Sequence, residues 1–196
     1  MTLEQLQQIF RHATADTWHQ HPNGGGWVQN TAFVDDSAYV GENALVYENA
    51  RVYENASVSG NARVFGNARV DGNARVHGNA LVYGKAWVFG NATVFGNARV
   101  FGNARVYGNA RVEDDAWVKD AARVYENARV HGKAWVSDYA QVFGKAWVQD
   151  GAWVFGNALV FGNAQVFGKA RVFGNALVHE NASVSGNTEV TGILSY

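Results

Sequence analysis

The chain has no cysteine and a single proline among its 196 residues. Without cysteine, a disulfide framework, a thiolate metal site and a cysteine nucleophile are all excluded. No long apolar run and no secretory apolar segment stand out, so the expectation is a soluble, cytoplasmic protein. A Gly-x-Ser-x-Gly elbow is also missing, as are the glycine loops of the Walker and Rossmann types. A net charge of −1 excludes a generally basic, nucleic-acid-coating surface.

What the chain has instead is a period. Every sixth residue from Val28 to Val190 is valine, twenty-eight without interruption. Alanine stands two places before each one, except at Gly26 and Thr188, and a turn such as Gly-Asn, Glu-Asn or Gly-Lys follows. In Ala98-Arg99-Val100-Phe101-Gly102-Asn103 small apolar residues alternate with large or charged ones, which is strand periodicity. Gly-Asn then turns the chain, because glycine and asparagine tolerate left-handed backbone. Strands this short cannot bury a face alone, so the units must stack. Three six-residue sides per coil, with valine and alanine inside, give a triangular β-helix of about nine coils, roughly 45 Å long at the usual strand spacing.

Val40-Gly41-Glu42-Asn43-Ala44-Leu45 resembles the bacterial hexapeptide-repeat pattern at each defined place, and the other units share its valine and alanine positions. The resemblance covers residues 27 to 190. It implies an all-β solenoid, the left-handed parallel β-helix of that superfamily, many of whose members are trimeric acyltransferases. Most units depart from the pattern by carrying Phe or Tyr where the family usually has Gly, Ala, Glu or Asp.

Three segments follow from this reading. Residues 1–26 form a helical cap and connector, residues 27–190 the β-helix, and residues 191–196 a tail. Leu3, Leu6, Ile9 and Phe10 share a helical face, and Thr2 with Gln5 resembles a capping box, so this helix is expected to cover one end. Ile193, Leu194 and Tyr196 are expected to fold over the other end or to leave it open for another subunit.

Residues eighteen apart fall in one column on successive coils. Phe89, Tyr107, Tyr125, Phe143 and Phe161 form one aromatic column, Tyr47, Phe65, Tyr83 and Phe101 another, and Trp117, Trp135 and Trp153 a third. Stacking between coils accounts for individual rings. Together they expose more apolar surface than a monomer usually tolerates, which points to a homo-oligomer, dimer or trimer.

The Gly-Asn turn is abandoned around the tryptophan column. Asp114, Asp115, His131 and Asp150 lie at the corner entering that face, Asp120, Asp138 and Tyr139 at the corner leaving it, and Trp147 on the neighbouring face. Rings beside carboxylates suit a partner protein or a small ligand such as a sugar or nucleotide. A polar rim around a subunit contact accounts for the same residues equally well. Acidic groups at Asp114, Asp115 and Asp120 do not match a known cation loop, so no metal is expected.

Charge is uneven along the chain. Residues 1–59 hold two basic and seven acidic side chains, residues 60–112 seven and one, residues 113–196 seven and nine. The basic waist includes Arg63, Arg69, Arg75, Arg99, Arg105 and Arg111, which the eighteen-residue period divides among three faces, so nucleic-acid binding is disfavoured.

The overall expectation is a non-catalytic binding or scaffold solenoid with no cofactor. The alternative implied by the resemblance is an acyltransferase using acetyl-CoA, with His131, near Asp114 and Asp150, as general base. Against it, no insertion interrupts the coils to wall off a donor.

Overall fold

The computed structural model describes residues 1–195. The alternation of small apolar and larger side chains makes each hexapeptide a two-residue strand followed by a turn, and residues eighteen apart pair in parallel, as Val100 does with Val118. The strands assemble into three sheets, one per side of the coil. Sheet I has 11 strands and carries Trp27, Leu45, Arg63, Leu81, Arg99, Trp117, Trp135, Trp153, Arg171 and Glu189 outward. Sheet II, with 10 strands, begins at Phe33–Val34, and sheet III, with 9, at Tyr39–Val40. The protein is therefore an all-β, three-sided parallel solenoid of about nine turns.

Valine and alanine fill the interior. From Ala38 to Ala182 every repeat valine and alanine is fully buried. Because the two inward residues of each hexapeptide have nearly constant volume, the cross-section stays uniform and the coils stack without a bulge. Turn glycines take positive φ, for example +72° at Gly102, where an added Cβ would stand 2.8 Å from the backbone nitrogen of Asp120 on the next coil.

The ends depart from the expected covers. Helix α1 (Leu3–Ile9) forms with its capping box intact, Gln5 N–H donating to Thr2 Oγ1 at 3.3 Å and Thr2 N–H to Gln5 Oε1 at 2.8 Å. Yet Leu6 packs with Trp18, Trp27, Leu45 and Tyr47, so the helix lies on the outer flank of sheet I rather than across the open end. Its seven residues are too few to cover a triangular cross-section, while the apolar outward column of the first coils offers a ready groove. Ile9 consequently stays 41% exposed. Two of the three sheet edges at this end are covered, by β1 (Trp18–Gln20), antiparallel to β2 (Trp27–Gln29), and by Asn23 and Gly26, which bond the backbone of Val40, while Phe33–Val34 stays the outermost strand of sheet II.

At the other end Ile193–Ser195 does not fold over the last coil. It continues sheet II, pairing in parallel with Leu177–His179. Leu194 stands opposite Val178, sixteen residues away instead of eighteen, so the final corner is shortened by two residues. The expectation for Tyr196 lies outside the described residues. No helix is long and apolar enough to cross a membrane among those described.

Candidate functional site

The three tryptophans follow consecutive coils of sheet I, because an outward strand position recurs every eighteen residues. Trp117 and Trp135 stack with centroids 4.8 Å apart and planes 3° apart, and Trp135 and Trp153 at 5.1 Å and 7°. Guanidinium groups close both ends of this column: Arg99 lies 4.9 Å from the Trp117 ring centre and Arg171 5.6 Å from that of Trp153. Each ring face thus meets another ring or a cation, and the column presents a flat strip of ring edges to solvent. Trp153 is 41% exposed.

The bordering carboxylates have a local task. Asp114, Asp120, Asp138 and Asp150 occupy the turn position with φ of 58° to 61°, where most turns carry glycine. Asp114 accepts the N–H of Gly132 at 3.1 Å, Asp138 that of Gly156 at 2.9 Å, and Asp150 that of Gly168 at 3.1 Å. Asp120 accepts from Lys119 Nζ at 2.9 Å and lies 3.5 Å from the Asp138 nitrogen. Each of these four side chains reaches along the axis and holds the next turn through a charge-assisted hydrogen bond. Glu126, outside the expected set, does the same for Gly144 at 2.9 Å. Asp115 instead ends an asparagine ladder, accepting from Asn97 Nδ2 at 3.0 Å.

His131 Nδ1 stands 4.0 Å from Asp114 Oδ2, and the ring meets Trp147 edge-on at 6.0 Å. Trp147 lies on sheet III, beneath the Arg129 guanidinium at 5.2 Å. Asp150 is turned to Gly168. Tyr139 is 68% exposed at the leaving corner. Among the described residues, no three His, Asp or Glu side chains group as a metal site.

The structure adds Lys169 and Arg171 to Lys133, which the sequence already places at the corner entering this face. A groove of about 630 Å³ beside the ladder is lined by Lys133, Trp135, Gly151, Trp153, Lys169 and Arg171. Lys133 and Lys169 occupy the same corner column two coils apart, a relation readable from their spacing. Arg171 is shared, pairing with Glu189 at 2.9 Å.

The remaining columns are also ordered ladders. Tyr47, Phe65, Tyr83 and Phe101 stack at 4.8 to 4.9 Å. The ladder from Phe89 to Phe161 continues one step further, to His179 at 5.1 Å. Burial raises the phenol pKa of Tyr47, Tyr83 and Tyr125, so these rings act as neutral stacking groups.

Fold and surface together define a β-solenoid repeat protein. The chain is similar to the YdcK beta solenoid repeat, whose family model matches residues 56–72, 62–78, 98–114, 104–120 and 164–180. No curated protein and no solved structure matches it.

Proposed function

We propose that the chain is a non-catalytic scaffold that works through the tryptophan face of sheet I, where it pairs with a second copy of itself. The observation that carries this reading is the sealed ladder, Arg99 and Arg171 closing the Trp117, Trp135 and Trp153 stack. With no ring face open, the strip is poorly suited to stacking a sugar or base and well suited to lying flat against another flat sheet. Charge supports a self-complementary contact. A two-fold axis between Trp117 and Trp135, perpendicular to the solenoid, sets exposed Asp115 of one copy opposite exposed Lys133 of the other.

The same reading takes the solenoid as the left-handed helix of hexapeptide-repeat proteins. Twenty-eight uninterrupted units support a non-catalytic role, since nothing among them builds a wall around His131 for acetyl-CoA. The groove lined by Lys133, Lys169 and Arg171 favours a second occupant of this face, a small anionic ligand.

Light-scattering mass tests the pairing. Wild-type chain is expected at twice the monomer mass and Trp153→Asp at the monomer mass with an unchanged melting curve. A monomeric wild type that binds nucleotides or acidic sugars calorimetrically would replace pairing with the ligand reading. Turnover of acetyl-CoA abolished by His131→Gln would overturn both.

A further inference from the structure

A different face carries a second site. The six arginines of the basic waist do divide among three sheets, but Arg51 and Arg123, which lie outside it, join Arg69 and Arg105 in one outward column of sheet II. All four are exposed, and none forms an ion pair among the described residues. The other sheets carry their arginines less densely, with none placing four in five successive outward positions, and one on each is engaged: Arg111 of sheet III pairs with Glu113 at 3.2 Å, and Arg171 of sheet I with Glu189. With coils about 4.8 Å apart, Arg51 to Arg123 spans four steps, roughly 19 Å in a straight line.

At the centre of this column, Arg69, Lys85 and Arg105 surround Trp87 in a cavity of about 470 Å³ completed by Asn67 and Asn103. No carboxylate lines it. The nearest acid, Asp71, is engaged by the Trp87 indole N–H at 2.6 Å, and burial raises its pKa. A second cavity of about 580 Å³ continues the groove past Asn49, Arg51, Tyr53 and half-exposed Phe33. Apart from Asp71, the flanking acids stand toward the ends: Glu48 and Glu54 near Arg51, and Asp120 and Glu126 near Arg123, the last two directed to the next coil's turns.

The asparagines give an independent sign. At the corner entering sheet III's neighbour, sheet I, Asn61, Asn79 and Asn97 interlock side chain to side chain, and at the corner leaving sheet II so do Asn73, Asn91, Asn109 and Asn127. At the corner entering sheet II, Lys85 interrupts the ladder, and the amides of Asn49, Asn67 and Asn103 have no side-chain partner among the described residues. They border the cationic groove with free donors and acceptors.

We propose that this groove of sheet II binds phosphate groups borne in series, as on a single strand of nucleic acid. The straight guanidinium column suits a chain rather than one anion, and Arg is the side chain that grips phosphate through paired N–H donors. Trp87, Tyr53 and Phe33, interspersed with the cations, supply ring surface for bases, and free amides supply hydrogen bonds to them. The strand would lie along the solenoid axis. The tryptophan face of sheet I takes no part, so either proposal can fail without the other.

The test is fluorescence anisotropy of a labelled oligothymidylate of about 16 nucleotides, titrated between about 50 and 200 mM salt. Wild type is expected to bind with a log–log salt slope of about −3, four phosphate contacts on a single strand. Arg69→Ala with Arg105→Ala should weaken binding at least ~10-fold and flatten the slope by about 1.4. Arg63→Ala with Arg75→Ala removes the same charge from sheets I and III and should change affinity less than ~3-fold. All four positions point outward from strands, so melting curves should stay superimposable. Absence of binding at low salt, equal loss in both double variants, or binding to an acidic polysaccharide with none to the oligonucleotide would each overturn the proposal.

Discussion

At the N-terminal end, β1 runs antiparallel along β2 and shields the edge of sheet I, while Asn23 and Gly26 bond the backbone of Val40 at the edge of sheet III. At the C-terminal end, Ser183–Val184, Glu189–Val190 and Ile193–Ser195 are the outermost strands of their sheets, with nothing laid across them among the described residues. Ile193 is 75% exposed there, whereas Leu6 and Trp18 at the other end are 0% and 4% exposed. A solenoid of identical coils has no intrinsic reason to stop, so each end is a free template unless sequence is spent on closing it. Here the first 26 residues are spent on one end. At the other the last corner is shortened, which shifts Ile193–Ser195 out of the eighteen-residue register.

The largest expected effect separates the ends directly. Deleting residues 1–26 removes Leu6 and Trp18 from beside Trp27 and Leu45 and reopens two sheet edges. A loss of roughly 5 kcal/mol or more follows from about 1.5–3 kcal/mol per buried side chain, with aggregation visible by light scattering. Deleting residues 191–196 should shift the thermal midpoint by only a few degrees. Equal loss from both truncations would show that the C-terminal end is closed as tightly.

A single side chain sharpens the same contrast. Leu6→Ala opens a cavity among Trp18, Trp27, Leu45 and Tyr47 and should cost about 2–4 kcal/mol in denaturant unfolding. Ile193→Ala leaves no cavity and should stay within about 0.5 kcal/mol.

How much of this could be read beforehand depends on whether period or packing decides the feature. The strict six-residue valine spacing determined the strands, the three sheets and the pairing of residues eighteen apart, and Thr2 with Gln5 marked the capping box. The tryptophan column and the aromatic ladders follow from the same arithmetic. The docking of α1 on the flank was not legible, because its apolar face matches an outward column and an open end equally well. Nor was the role of Asp114, Asp138 and Asp150: type and spacing suggested a ligand site, while their φ values and contacts to the next coil's amides appear only in three dimensions. The arginine column of sheet II was readable at spacing eighteen, but a count by segment hid it.

Turn glycines distinguish interior coils from the open end more finely. Gly102→Ala places a Cβ 2.8 Å from backbone of the next coil at a φ of +72°, and should cost about 1–3 kcal/mol. Gly186, with φ of +64°, has nothing within 4 Å among the described residues. Gly186→Ala retains only the conformational part of the penalty, about 1 kcal/mol, so the difference between the two variants measures the presence of a neighbouring coil.

The smallest effect is a dependence on pH that belongs to the middle coils. Burial, and then the nearby Arg75 and Arg111, lower the His77 pKa below its ordinary 6.5, and the ring stacks on Phe95 at 5.0 Å. A group that holds its proton less tightly when folded makes the unfolded chain the better proton acceptor. Its effect on stability is therefore nil well above pH 6.5 and grows unfavourable as the pH falls from there toward the folded pKa, below which it levels off. His77→Gln keeps a planar polar group at the same corner and should flatten the fall in melting temperature over that window. If the fall were unchanged in the variant, the acid sensitivity would arise elsewhere than at His77.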